Sequence, residues 1–117
     1  MSAFAIAGAT PSESQRPDLS FPPVLRRDRV TGLSVNNATL ATSVPRYAVV
    51  GRQRITAADA KWYYDRLGAR TGIVLYDPDV AAWVTVTGKI DSPVFDYAMP
   101  DSVATLVNFR VTITVDP

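Results

Sequence analysis

The stretch ITAADAKWYYDRLGARTGIVLYDPD, from Ile55 to Asp79, carries the helical pattern of a chain that otherwise reads as β-strand. Thr56 is a favourable N-cap, and Asp59 completes a capping box with Asp in place of the usual Glu or Gln. Gly68 is placed to end the helix as a left-handed cap. The stretch therefore predicts a helix over about residues 57–67.

A helix of this length is not stable alone, so it must pack on the rest of the protein. Its apolar residues at the i, i+3, i+4, i+7 spacing of one helical face are Ala60, Tyr63, Tyr64 and Leu67. This face predicts that the helix seals a core, while Trp62 lies off the stripe. A buried strand follows from Gly72 to Tyr76, and Asp77-Pro78-Asp79 predicts a turn.

Alternating apolar and polar residues predict strands on both sides of this stretch. They cover a hairpin over residues 30–44 that turns at Asn36-Asn37, and strands over residues 46–54, 81–90, 94–97 and 103–115. The last strand is the longest, with Val103, Val107, Phe109, Val111, Ile113 and Val115 predicted on one face. At about 3.3 Å per residue it would run ~40 Å. We expect it to bend at a bulge or to extend past the core to a neighbour.

Hairpin-like spacing and one helix predict a mainly β (α+β) fold, an antiparallel β-sandwich or small barrel with a single flanking helix. With 117 residues, one domain is expected, over residues 29–117. Residues 1–28 hold four of the nine prolines and show no period. They predict an extended N-terminal arm, ordered only against another molecule.

The amino-acid composition excludes several classes of protein function. The chain has no Cys and no His, which excludes a disulfide framework and catalysis by thiol or imidazole. The acids Asp77, Asp79 and Asp91 lack the Gly and Glu of a calcium loop and are interpreted as a solvated turn. No stretch approaches the ~20 apolar residues of a membrane span. We therefore expect no enzyme, no cofactor, no bound metal and no membrane contact.

Charge is unevenly distributed along the chain. Residues 1–70 carry a net charge of +5 and residues 71–117 a net charge of −4, within an overall +1. Internal ion pairs could absorb this asymmetry, or it could form two opposite faces that attract neighbouring copies or partners. The acids that would supply the negative face are Asp77, Asp79, Asp91, Asp96 and Asp101.

Arginine is strongly preferred to lysine, and arginine is enriched in interfaces. Even spacing on a strand predicts one face for Arg46, Arg52 and Arg54. Such an electropositive strip could meet an acidic protein or phosphates, or could be an ordinary solvated face. The full set of predicted assembly residues is Arg26, Arg27, Arg29, Arg46, Arg52, Arg54, Trp62 and Trp83.

The order of these parts resembles small structural proteins of tailed bacteriophages. The matching parts are a basic N-terminal arm, a hairpin, the strand Arg46-Tyr-Ala-Val-Val-Gly51, the helix Thr56-Ala-Ala-Asp-Ala-Lys-Trp-Tyr-Tyr64, the strand and turn Gly72-Ile-Val-Leu-Tyr-Asp-Pro78 and a closing amphipathic strand. The resemblance spans roughly residues 20–117 and is to minor tail, tail-tube-like, distal-tail and connector proteins. It implies a β-sandwich with one flanking helix, arms that reach neighbours in a ring, and no catalytic residues.

On this resemblance we expect a virion protein that self-assembles as a ring in the tail or head–tail connector. It would be assembled in the host cytoplasm, and its partners would be copies of itself and other virion proteins. The protein would contact DNA only where the DNA passes through the lumen of the ring. The alternative is a non-catalytic β-sandwich module that binds glycan or nucleic acid. Exposure of Trp62 and Trp83 on one surface would favour glycan, and salt-dependent affinity for DNA would favour nucleic acid.

Overall fold

The computed structural model describes residues 3–27, 46–99 and 102–116. The predicted hairpin over residues 30–44, and with it Arg29, lies outside these residues, as does Asp101. In chain order the elements are β1 (Arg26–Arg27), β2 (Arg46–Thr56), α1 (Ala57–Tyr64), β3 (Ile73–Asp77), β4 (Ala82–Val86), β5 (Gly88–Ile90), β6 (Val94–Met99) and β7 (Ser102–Val115).

The strands form two antiparallel sheets that share one core. The large sheet has the order β1-β2-β7-β5, and β6 also pairs with β7; the small sheet consists of β3 and β4. Fully buried side chains from both sheets, such as Leu75 of β3 and Ile113 of β7, belong to the same apolar cluster. The predicted mainly β, sandwich-like fold with a single flanking helix is confirmed for the described part of the chain.

β7 lies at the centre of the large sheet. The alternation of inward and outward side chains along it is interrupted once. Phe109, Val111 and Ile113 are fully buried, but the next buried residue towards the start of the strand is Leu106, not the predicted Val107. The step falls at Asn108, whose φ is 52°, in the left-handed region that Asn tolerates better than most residues. The expected irregularity in this long strand therefore lies at Asn108.

β2 has a matching break. Its register with β7 pairs Arg52 with Phe109 and Arg54 with Val107, while Gln53 and Asn108 are left out of the pairing. Val50 and Ile55 of β2 both point into the core although they are five residues apart. Regular alternation would place residues at an odd separation on opposite faces. Arg52 thus shares its face of the sheet with Phe109, and Arg54 lies on the opposite face with Val107. The predicted single face for Arg46, Arg52 and Arg54 is wrong.

α1 begins as predicted and ends earlier. The Asp59 amide donates to Thr56 Oγ1 at 3.2 Å, which confirms the N-cap. Asp65, with a right-handed φ of −67°, is the C-cap, and a run of turns follows. Among the described glycines, those with positive φ are Gly8 and Gly72, so the predicted left-handed cap at Gly68 is wrong. The helix covers residues 57–64, not 57–67.

The buried face of α1 is rotated from the predicted stripe. Ala60 and Tyr63 are buried as expected, but Trp62 is only 9% exposed while Tyr64 is 42% exposed. Leu67, beyond the helix, packs partly buried against the core. The rotation follows from packing: the Trp62 ring centroid lies 4.9 Å from that of Tyr63 in an edge-on contact and 6.1 Å from that of Phe4.

The N-terminal segment belongs to the core. Phe4 and Ile6 are each 1% exposed and Leu25 is 2% exposed. Ala5 and Val74 exchange two backbone hydrogen bonds, of 3.4 and 3.0 Å, along the edge of β3 that β4 leaves open. The segment is irregular, as expected, but the hypothesis that it orders only against another molecule is wrong for residues 3–27.

Residues 21–27 also join the two sheets. The Leu25 amide donates to Tyr76 O of β3 at 2.8 Å, and the Gly51 amide of β2 donates to Phe21 O at 3.1 Å. β1 then adds two residues to the edge of β2. This crossing segment closes the side of the sandwich on which β2 and β3 lie.

The chain closes the other side by changing sheets at Thr87. β4 pairs with β3, whereas β5 pairs with the end of β7. The single strand predicted over residues 81–90 is therefore wrong. The change requires close backbone contact, since a Cβ at Gly88 would lie 2.3 Å from Thr114 O. Glycine permits this approach because it has no side chain.

Candidate assembly surface

Arg27 is held within its own chain. Its guanidinium donates to both carboxylate oxygens of Asp77 at 3.2 Å and also to Asp79. Asp77 is 5% exposed, so its carboxylate is shielded from water, whereas the Arg27 side chain is 31% exposed. The hydrogen bond from Arg27 holds the pKa of Asp77 below its usual value, against the opposing effect of burial. Arg27, Asp77 and Asp79 are therefore paired with one another inside the chain.

We expect Arg27→Gln to lower the free energy of unfolding by about 1.5–3 kcal/mol at neutral pH, because it leaves a buried carboxylate without its cation. The folded-state pKa of Asp77 lies below its ordinary value of 3.8. The pair therefore contributes stability above that value and loses it as pH falls through the folded pKa. Urea titrations from pH 7 to pH 2.5 should show the difference between variant and parent shrinking below about pH 4.

The matched control is Arg70→Gln. Arg70 pairs with Asp116 at 3.0 Å, but both side chains are about half exposed. Such a pair contributes only ~0–1 kcal/mol. If Arg27→Gln were no more costly than this control, or if its cost did not change between pH 7 and pH 2.5, the Arg27–Asp77 pair would not stabilise the fold in the way that its burial predicts.

Arg52 is also occupied inside the chain. Its guanidinium donates to Arg16 O at 2.8 Å and to Glu13 O at 3.3 Å. These bonds fasten the N-terminal segment, together with a 2.6 Å bond from the Tyr63 hydroxyl to Gln15 O. Burial raises the pKa of the Tyr63 hydroxyl above its ordinary value of 10.0, so this donor stays protonated well above neutral pH. Arg52 thus has a structural role within the chain, and a contact between copies through it stays a prediction.

The remaining predicted arginines do not form one strip. Arg46 lines an open cleft of about 370 Å³ near Asp77, at the end of the sandwich where β2 begins and β7 ends. Arg54 lines a second groove of about 360 Å³, which Arg52 also lines and Arg46 does not. Arg26 and Arg54 are exposed and Arg46 is half-buried. With the described residues, none of these three forms an ion pair.

The two tryptophans do not form a common platform. Trp62 is buried in the core, and the guanidinium carbon of Arg66 lies 4.3 Å from its ring centroid. Trp83 is 36% exposed and packs edge-on against Tyr76, with 5.5 Å between ring centroids. Trp62 is therefore a core side chain that presents little surface to a neighbour. The surface with two exposed tryptophans that would favour a glycan-binding module is absent from the described residues.

Sequence reasoning missed three exposed apolar side chains on β6 and the start of β7. Val94 and Val103 lie on the face away from the core, whereas Tyr97 is opposite the buried Leu106 and lies on the inner face. Val94 is 54% exposed, Tyr97 is 51% exposed and Val103 is 72% exposed. The adjacent apolar pair Val94-Phe95 could have predicted an exposed apolar residue, since neighbours in a strand point to opposite faces. Phe95 turns inward and stacks on Phe109 at 6.1 Å between ring centroids, so Val94 must point outward.

Within residues 3–27, 46–99 and 102–116, no group of three or more His, Cys, Asp or Glu side chains could hold a metal ion. No helix in the same residues is long and apolar enough to cross a membrane. Comparison of the chain with protein-family models, with curated proteins and with solved structures found no match.

Proposed function

We propose that this protein is a structural component that assembles with copies of itself. The observation that carries the proposal is the set of apolar residues on the face of the large sheet away from the core: exposed Val94 of β6, with exposed Val103 and half-buried Val107 of β7. Exposed apolar side chains that occur together mark interaction surfaces more often than single ones do. The chain meanwhile closes its own core with the N-terminal segment, so these residues are not needed to complete the fold.

The resemblance to tail and connector proteins of tailed bacteriophages gives this assembly its proposed setting. The chain would form a ring in the tail or head–tail connector of a virion and contact other virion proteins, with DNA passing through the lumen. The sandwich with one flanking helix agrees with the fold that the resemblance implies. Among the charged residues predicted from the sequence to act between copies, those without an internal ion pair in the described residues are Arg26, Arg46, Arg52, Arg54, Asp91 and Asp96.

The test is the mass of the purified protein, measured by mass photometry over a range of concentrations and salt. We expect a discrete oligomer whose mass is a whole multiple of the chain. Several exposed charge pairs, each contributing ~0–1 kcal/mol, should loosen it as salt rises. The melting temperature of the monomer should hardly change with salt, because those charges lie between chains. A protein that has the mass of one chain under all these conditions contradicts the proposal.

The same preparation distinguishes the alternative of a non-catalytic binding module. A module of that kind would have the mass of one chain and would retain a ligand. Nucleic-acid binding would appear as affinity for DNA that falls steeply with salt. Glycan binding would require Trp83 without Trp62, and retention on a glycan array should then be lost in Trp83→Ala.

A further inference from the structure

One row of side chains crosses the large sheet on the face away from the core. Asp96 of β6 is opposite Val107 of β7, which is opposite Arg54 of β2. Directly opposed residues on antiparallel strands project from the same face. The adjacent pair, Ile55 and Leu106, is buried in the core, so the row Asp96–Val107–Arg54 lies on the outer face of the sheet.

The two charges of this row are available to another molecule. Arg54 and Asp96 are both exposed, and Val107 between them is half-buried. Their backbones are about 10 Å apart, two strand spacings, and the side chains do not form an ion pair with each other. Along β7, Thr105 and Val103 extend the outer face from Val107, and Val103 is the most exposed residue of the three.

The order of the row is negative, apolar, positive, and this order is complementary to itself. Consider a second copy turned by 180° about an axis parallel to β7, between the two outer faces. Arg54 of each copy then faces Asp96 of the other, and Val107 faces Val107. Val103 and Thr105 lie along the same axis, so each meets its own counterpart. A two-fold contact requires this reciprocity, in which residue i meets j and j meets i.

We propose that the outer face of the large sheet is a two-fold contact between two copies of this chain, centred on β7. The sheets would pack with their strands nearly aligned, about 10 Å apart, as in a β-sandwich. Val103 and Val107 would supply the apolar centre and the two Arg54–Asp96 pairs its charged flanks. The inference rests on the proposed self-assembly and adds its symmetry: a contact of this kind joins chains in pairs, and in a ring it would join two rings back to back.

The test uses the exchange of the two charges. Arg54→Asp makes the whole row acidic, and Asp96→Arg makes it basic, so each variant alone should repel its own copies. An equal mixture of the two variants places opposite charges at both ends of the row again. We expect each variant to raise the dissociation constant of the pair at least about tenfold, and the mixture to recover it. Sedimentation velocity distinguishes the single chain from the pair by mass and so measures both results.

Lys61→Asp is the control, because Lys61 is 72% exposed on α1, which packs on the inner face of the sheet through Tyr63 and Phe109. It reverses one charge without touching the row and should leave the pairing unchanged. Circular dichroism and melting temperature verify that each variant is folded, as expected for surface substitutions. The proposal is overturned if folded Arg54→Asp and Asp96→Arg associate like the parent, or if their mixture does not recover association. Those outcomes leave self-assembly intact, whereas a parent protein that is always monomeric contradicts both.

Discussion

Replacement of Phe4 with Ala is expected to lower the free energy of unfolding by about 3–5 kcal/mol. Phe4 is 1% exposed and its ring contacts Trp62, the residue that sets the orientation of α1. Removal of the ring would leave a cavity between the N-terminal segment and the helix. Urea unfolding of the purified protein, followed by tryptophan fluorescence, measures the loss directly, because Trp62 reports on the same contact.

The control comes from the same segment. Leu19 is 97% exposed, so Leu19→Ala should change the unfolding free energy by no more than about 0.5 kcal/mol. An equal and small effect of both substitutions would show that the segment contributes little to the fold. The earlier hypothesis of an arm that orders on a neighbour would then regain support.

The second large effect is expected at the centre of the sheet. Phe109 is fully buried, and its ring centroid lies 5.4 Å from that of Tyr63, 6.1 Å from that of Phe95 and 6.3 Å from that of Tyr64. Phe109→Ala removes the side chain that joins α1 to β6 and β7. We expect a loss of about 3–5 kcal/mol in a thermal or urea titration.

Val103→Thr is the control on the same strand. It preserves the β-branched shape at a site that is 72% exposed, and the stability of the monomer should hardly change. A small loss for Phe109→Ala would mean that the surrounding side chains collapse into the space. The position of α1 on the sheet would then depend on Phe4 and Trp62 rather than on Phe109.

Signals that act within a few residues could be predicted from the sequence. Thr56 and Asp59 fix the start of α1 because the cap bond joins neighbours in the chain. The alternation from Phe109 to Val115 fixes the inner face of β7 because the strand is paired on both sides there. Local rules failed at Gly68, where the chain turns without a left-handed residue.

The parts that could not be predicted depend on contacts far apart in sequence. Trp62 is buried because Phe4, more than fifty residues earlier, lies on it. The pairing of the polar candidates could not be predicted for the same reason. Arg27 and Asp77 are fifty residues apart, and no sequence pattern around either residue predicts that they pair. A count of charges along the chain therefore included residues that neutralise one another inside the fold.

The position of β7 in the sheet has a consequence for how the protein is made. β2, β5 and β6 all pair with β7, and all of them precede it in sequence. A ribosome would therefore finish the outer strands before their shared central partner. Until residues 102–115 leave the exit tunnel, those strands have unpaired edges, a state that is prone to aggregation. Folding should consequently follow synthesis of the final strand, and a chaperone would find its substrate in the nascent chain.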